Sequence, residues 1–220
     1  MHTGRLVVLE GPEGAGKSTQ MLRLEGFLRA QGIEFSRFRE PGGTPLGNEI
    51  RRLLLEPGRE ITPRAEALLF MASRAQLVER EIRPALAEGR LVLLDRFFLS
   101  TYAYQIAGRG LPEAEVVAAN AFATGGLVPD LTLVLDLAPA EGLARAGTRG
   151  GGGHDRIEGS GSEFHDRVAR AFVTYLTDDW QAAHPECGRI ARIDARGDQE
   201  AVFARIRKAL ADRWPESFAI

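Results

Sequence analysis

Gly11-Pro12-Glu13-Gly14-Ala15-Gly16-Lys17-Ser18 spells G-x-x-x-x-G-K-[ST], a spacing with a specific chemistry. Successive backbone N–H groups and a helix N-terminus can cradle an anion, a lysine ammonium can reach between phosphates, and the following hydroxyl can ligate Mg²⁺. Lys17 and Lys208 are the only lysines among 28 basic residues, so the ammonium stands out in a chain that otherwise uses arginine. A compact charge on a thin stem enters a tight loop where a planar guanidinium does not fit.

Such a loop has to join a strand to a helix, and the flanking residues supply both. Leu6 to Glu10 reads as a short buried strand, and Ser18 to Ala30 carries apolar residues at Met21, Leu22, Leu24, Phe27 and Leu28 at helical spacing. Further strand-like runs occur at Ile33 to Arg39, Leu91 to Asp95, Leu131 to Asp136 and Arg189 to Ile193. The helices predicted between and after them are Leu46 to Leu55, Arg64 to Ala87, Glu113 to Ala123, Pro139 to Ala146, Glu163 to Ala183 and Gln199 to Asp212. Alternation of this kind predicts an α/β fold with a five-stranded parallel sheet covered by helices on both faces. The loops after Glu10, Arg39, Asp95 and Asp136 then gather at the carboxyl edge of the sheet, where ligands bind.

The 220 residues, 44% of them apolar, suffice for one core, and no linker divides the chain, so one domain spanning 1–220 is expected. Residues 146–162 form a mobile lid in this reading, because Gly150-Gly151-Gly152-Gly153 holds no packed conformation unaided. A formal net charge of −2 offers no global basic field for nucleic acid. A single cysteine, Cys187, excludes an internal disulfide and fits a reducing, cytoplasmic compartment; neither a signal peptide nor a membrane-spanning run is apparent.

Three constellations fall at the expected edge. Asp95-Arg96 ends the third strand, where a carboxylate reaches Mg²⁺ or caps the next segment, and a guanidinium offsets charge on a transferring phosphoryl. Arg39-Glu40-Pro41-Gly42-Gly43-Thr44 ends the second strand, and Arg51 on the next helix makes a second anion site with Arg39, suited to a phosphate monoester. Phe70 and Arg74, at i and i+4, can address one nucleobase by stacking and hydrogen bonding, although a lone helical Phe is more often core. Tyr102, Tyr104 and Gln105 add aromatic and amide groups. The lid contributes Arg145, Arg149 and Arg156, followed by Arg167; because the phosphate loop holds no Arg, a cation closing over the phosphoryl has to come from elsewhere. Four histidines show no metal-ligand spacing.

In this order the pieces resemble thymidylate kinases, the nucleoside monophosphate kinases that phosphorylate dTMP. The resemblance covers nearly the whole chain: Leu9-Glu10-Gly11 into the P-loop, Arg39 to Thr44, Phe70 with Arg74, Asp95-Arg96 before Ser100-Thr101-Tyr102-Ala103-Tyr104-Gln105, and Asp155-Arg156-Ile157-Glu158 in the lid. It implies a P-loop NTPase fold in which Gly11, Glu13, Gly14, Ala15, Gly16, Lys17, Ser18 and Thr19 bind ATP and Ser18 with Asp95 serves Mg²⁺. It implies further that Glu13 approaches the deoxyribose 3′-hydroxyl and that Arg39, Arg51 and Arg96 bind the dTMP phosphate. Phe70 then stacks on thymine, Arg74 bonds a base carbonyl, Ser100 and Gln105 help to read the base, and Tyr104 lies under the sugar. Arginines in the lid but none in the loop are similar to the bacterial form of the family, with Arg156 as the catalytic cation and Arg149 stacking on adenine. A homodimer is implied too. Phe97 stands where Tyr or His is usual after Asp-Arg. A kinase for another small acceptor, for example a different nucleoside monophosphate, and a P-loop switch whose nucleotide state controls a partner share the loop; a kinase for a non-nucleotide acceptor has no use for the base-reading set, and a switch has none for the second arginine cluster.

Overall fold

The computed structural model describes residues 4–138, 141–142 and 155–218. Five parallel strands, β1 (Arg5–Glu10), β2 (Phe35–Arg39), β3 (Leu91–Asp95), β4 (Leu131–Asp136) and β5 (Ile190–Asp194), form one sheet in the order β2-β3-β1-β4-β5. Side chains alternate across a strand, and both faces are apolar. Leu6 and Val8 of β1 join one buried cluster with Val92, Leu94 and Val134, while Val7 and Leu9 join another with Leu91, Leu93, Leu133 and Leu135. Burial on both sides explains the unbroken apolar runs in the sequence.

Helices α1 (Lys17–Ala30) and α9 (Gln199–Arg213) cover the second cluster, with Met21, Leu24, Leu28, Val202, Ile206 and Leu210 facing inward. Trp214 and Phe218, beyond α9, are buried on the same face. Most of the remaining helices pack over the first cluster. In α2 (Pro45–Leu55), Pro45 opens the first turn and Thr44 Oγ1 accepts from Gly47 N at 2.9 Å. The expected helix Arg64 to Ala87 is instead α3 (Pro63–Leu77), a π-helical stretch Val78–Ile82 and α4 (Arg83–Ala87). Pro84 accounts for the change: it has no N–H to give to the preceding turn, and its ring crowds the carbonyl four residues back, so the winding loosens there.

A short helix, α5 (Phe98–Thr101), runs into a second π-helical stretch, Tyr102–Gly108, which the sequence reading did not assign. It is followed by α6 (Glu113–Thr124). The expected helix Glu163 to Ala183 is two helices, α7 (Ser162–Thr174) and α8 (Asp178–Ala183). Thr177-Asp178-Asp179 restarts the winding, with both aspartates in the new first turn, where the helix dipole favours negative charge. Of the expected helix Pro139 to Ala146, Glu141 and Gly142 are described and helical; the rest lies outside the described residues, as do Arg145, Arg149, Gly150–Gly153 and His154.

The register places the site. Leu9 pairs with Asp95, and Asp95 with Arg39, so Glu10, Glu40 and Arg96 emerge side by side at the carboxyl edge.

Candidate active site

The phosphate loop leaves β1 at Gly11 and enters α1 at Lys17, with Gly16 at φ 95° preceding the first turn. Gly14 has φ 73°, and a Cβ there would sit 1.9 Å from Gly142 O, so only glycine lets the loop lie against that backbone. Lys17 Nζ donates to Gly11 O at 2.8 Å and Pro12 O at 2.9 Å. Lys17 is 7% exposed, and burial, then the neighbouring Arg96 charge, push its pKa down to about 7. It is a cation short of negative partners beside a loop shaped for anions.

Arg96 follows β3 with φ 71°, a left-handed conformation that costs a non-glycine residue about 1–3 kcal/mol. The turn aims its guanidinium back over the sheet edge, where Nη1 donates to Ser100 Oγ at 2.9 Å and the group lies 5.3 Å from the Tyr104 ring centre. Burial opposes its charge, but Tyr104 and the carboxylates of Asp95, Glu10 and Glu13 outweigh that and raise its pKa further. Arg51 is the reverse case. Burial and the charges of Arg39 and Arg96 lower its pKa, and Nη1 donates to Pro41 O at 3.0 Å. Three guanidiniums that oppose one another converge on one wall, as an anionic ligand requires.

Beneath them lies Glu10, fully buried, a residue to which the sequence reading gave no role. Its Oε1 accepts from Phe97 N at 2.7 Å and Ser100 N at 3.0 Å, and its Oε2 from Ser100 Oγ at 2.6 Å. A carboxylate ending a buried apolar strand was the available signal.

The cleft, about 290 Å³, is lined by the loop residues Glu13, Gly14, Gly16, Lys17 and Ser18, by Arg39, Arg51, Asp95 and Arg96, and by Phe70, Arg74, Ser100, Tyr104 and Gln105. Phe70 is half-buried and belongs to neither apolar cluster, so it faces the cleft rather than the core. Burial raises the Tyr104 pKa against the lowering effect of Arg96, and its ring packs edge-on against Phe164 at 5.9 Å. Burial, together with the neighbouring Glu158 carboxylate, raises the Glu13 pKa against Arg96. Arg74 lines the cleft, but all five of its N–H donors are directed at protein acceptors. Nε and Nη2 bond Glu40 Oε2, Nη1 bonds Thr101 Oγ1 and Asn120 Oδ1, and Nη2 also bonds Phe97 O.

The structure does not bring Arg156 to the phosphate loop, where the sequence reading expected the catalytic cation. Its Nη2 donates to Glu66 Oε2 at 2.6 Å, its Nε to Leu54 O at 2.8 Å and its backbone N to Leu55 O at 3.2 Å, and it does not line the cleft. The cause is Glu66, a carboxylate 1% exposed that needs positive partners and takes Arg109 as well. Arg167 is likewise turned away, donating to Ala107 O and Gly108 O. Arg149 lies outside the described residues.

A hard divalent cation beside phosphates needs oxygen donors, and two stand ready. Asp95 Oδ1 is buried without a hydrogen-bond partner, and the Ser18 hydroxyl lines the same cleft. That orphaned oxygen fits the Mg²⁺ role expected for Ser18 and Asp95.

Comparisons with known proteins agree with the geometry. A sequence model of the family described as thymidylate kinase matches residues 9–206. The chain is 47% identical over 213 residues to the thymidylate kinase of Deinococcus radiodurans, covering 97% of this chain and 99% of that protein. It is 44% identical to that of Bdellovibrio bacteriovorus over 95% of this chain and 96% of the other. With that of Pseudomonas fluorescens strain SBW25 the identity is 52% over 84% and 85%. A parallel α/β sheet, a complete phosphate loop facing an arginine-lined cleft, and relatedness along nearly the whole length lead to one conclusion: the chain belongs to the thymidylate kinase family, whose members are nucleoside monophosphate kinases.

Proposed function

We propose that the cleft transfers the γ-phosphoryl of ATP in line to the phosphate of dTMP, giving ADP and dTDP. The observation that carries this reading is the cleft itself: one cavity holds the phosphate loop, the Arg39, Arg51 and Arg96 wall, and the aromatic and amide groups Phe70, Tyr104 and Gln105. A phosphate monoester dianion is already a nucleophile, so no covalent intermediate and no strong base are needed. Catalysis rests on alignment and on charge.

In this reading the amides of the loop from Gly11 to Thr19 hold the donor phosphates. Lys17 exchanges its two carbonyl contacts for phosphate oxygens, which restores the charge that burial disfavours. Arg39 and Arg51 hold the acceptor phosphate. Arg96, pinned by Ser100 and held charged by the carboxylates around it, neutralises charge between donor and acceptor. Ser18 and Asp95 hold Mg²⁺, which when bound neutralises phosphate charge. Phe70 stacks on the base, Tyr104 underlies the sugar, and Glu13 faces the 3′-hydroxyl. Arg74, with every donor engaged, acts by bracing Glu40, Asn120 and the Phe97 turn; a bond to the base carbonyl requires it to give up one of these. Arg156 is held on the acceptor side through Glu66.

The reading extends to a single cytoplasmic domain that works as a homodimer. Leu68 on α3 is 63% exposed and Phe122 on α6 is 90% exposed, and these helices pack against each other, so this part of the surface offers large apolar groups that a second copy can cover. Among the described residues no helix is long and apolar enough to cross a membrane. The test is the stereochemistry at phosphorus. ATP made chiral at the γ-phosphorus should yield dTDP with inverted configuration, as a single in-line displacement requires; retention would show a phosphorylated enzyme and overturn the mechanism.

A further inference from the structure

Glu66 is a buried carboxylate for which the transfer itself has no use. It lies one helical turn before Phe70 on α3, and its two oxygens collect four N–H groups. Oε1 accepts from Gln105 Nε2 at 3.0 Å and Arg109 Nε at 2.9 Å; Oε2 accepts from Arg109 Nη2 at 3.0 Å and Arg156 Nη2 at 2.6 Å. The arginines are themselves held. Arg109 lies 4.4 Å from the Phe164 ring centre and reaches Ser160 Oγ, and Arg156 is tied to Leu54 O. The carboxylate cannot turn without breaking this set.

The chemical consequence falls on Gln105. A carboxylate between two guanidiniums offers only lone pairs, so an amide facing it must present its NH₂ end. The carbonyl end of Gln105 is thereby directed away from Glu66, and Gln105 lines the cleft. An amide without this neighbour can rotate and offer either end at little cost.

We propose that Glu66 is a positioning residue that sets base specificity, by locking Gln105 so that the cleft meets the base with a hydrogen-bond acceptor. The proposal rests on the reading of Gln105 as a base-facing residue. An acceptor there matches a pyrimidine whose ring N3 carries a hydrogen, as in thymine and uracil. It opposes cytosine, whose N3 is an acceptor, because two lone pairs then face each other in a buried site. Arg109 and Arg156 hold the Glu66 carboxylate from two sides, which gives Arg156 a part on the acceptor side of the cleft.

The test compares kcat/KM for dTMP, dUMP and dCMP. Glu66→Gln frees Gln105 to present its NH₂ group, so the preference for dTMP over dCMP should fall by about tenfold to a hundredfold. The preference for dTMP over dUMP should hold, because both bases carry N3–H. Loss of packing alone lowers all three substrates together and leaves both ratios unchanged. Because Glu66→Gln leaves two partly buried cations facing a neutral group, the double variant Glu66→Gln/Arg156→Gln, which keeps the net charge of the cluster, is measured beside it and should show the same loss. Arg156→Gln alone keeps the Glu66 carboxylate paired with Arg109 and should keep the dTMP to dCMP ratio. An unchanged ratio in the folded, active double variant overturns the proposal alone; a wild-type enzyme inactive on dTMP overturns the functional reading and this proposal with it.

Discussion

Glu10 is the carboxylate on which the acceptor wall is built, and its replacement separates folding from function. It satisfies two backbone N–H groups, of Phe97 and Ser100, and orients the Ser100 hydroxyl, at 2.7, 3.0 and 2.6 Å. Each buried donor left unsatisfied costs about 1–3 kcal/mol. Glu10→Ala strands two of them, because the hydroxyl can turn elsewhere, and the cavity adds to the loss; about 3–5 kcal/mol of stability should disappear. Glu10→Gln keeps an amide oxygen for both N–H groups and forfeits only the charge assistance, about 1–2 kcal/mol. Its larger effect is on chemistry. In the native site Ser100 Oγ donates to Glu10 and accepts from Arg96 Nη1; a glutamine NH₂ competes with Arg96 for that oxygen, and the negative charge that helps hold Arg96 and Lys17 protonated is gone. A displaced Arg96 worth about 1.4–2.8 kcal/mol to the transition state lowers kcat/KM for dTMP about ten- to a hundredfold. Urea unfolding and steady-state kinetics on both variants supply the two numbers. A Gln variant with wild-type stability and wild-type kcat/KM refutes the reasoning.

Phe70→Ala should weaken dTMP binding by about 1–3 kcal/mol and leave ATP binding little changed in calorimetry, since the ring faces the cleft and not the core; a parallel loss of both would make it a packing residue. Tyr102, Tyr104 and Tyr175 all have pKa values raised by burial, so the native state keeps protons that the unfolded chain releases from about pH 10 upward. Their stabilising contribution is therefore complete below about pH 10 and is lost as the pH rises above it, and tyrosinate absorbance should appear together with loss of circular dichroism; tyrosinate in a folded protein near pH 10 would contradict this. Phe122→Asp, at the most exposed aromatic of α6, should move the mass in light scattering from dimer to monomer with the fold intact; an unchanged dimer places the interface elsewhere.

What the sequence disclosed is what is local in it. The phosphate loop, Asp95-Arg96 and Arg39 are read from a few consecutive residues at strand ends, and the parallel register then has no choice but to bring them together. The pairing of Arg156 with Glu66 was not legible, because Glu66 is 90 residues away and nothing in Asp155-Arg156-Ile157-Glu158 discloses which buried carboxylate takes the guanidinium. Arg74 was legible as a cleft residue from its spacing to Phe70, but its five engaged donors depend on Glu40, Phe97, Thr101 and Asn120, which come from three other segments of the chain. Glu66 itself was within reach: it stands four residues before Phe70 and eight before Arg74, on the same helical face. The break before Asp178 and the loosened turn at Pro84 each carried a sequence signal that helical periodicity alone does not weigh.

The central claim is that one cleft takes ATP and dTMP together, and the direct measurement is ADP release from ATP and Mg²⁺ with a panel of nucleoside monophosphates. Turnover that is fast with dTMP, slower with the purine monophosphates and dCMP, and near background without an acceptor is the expected result. ADP release that does not depend on dTMP, or that another monophosphate supports better, would contradict it.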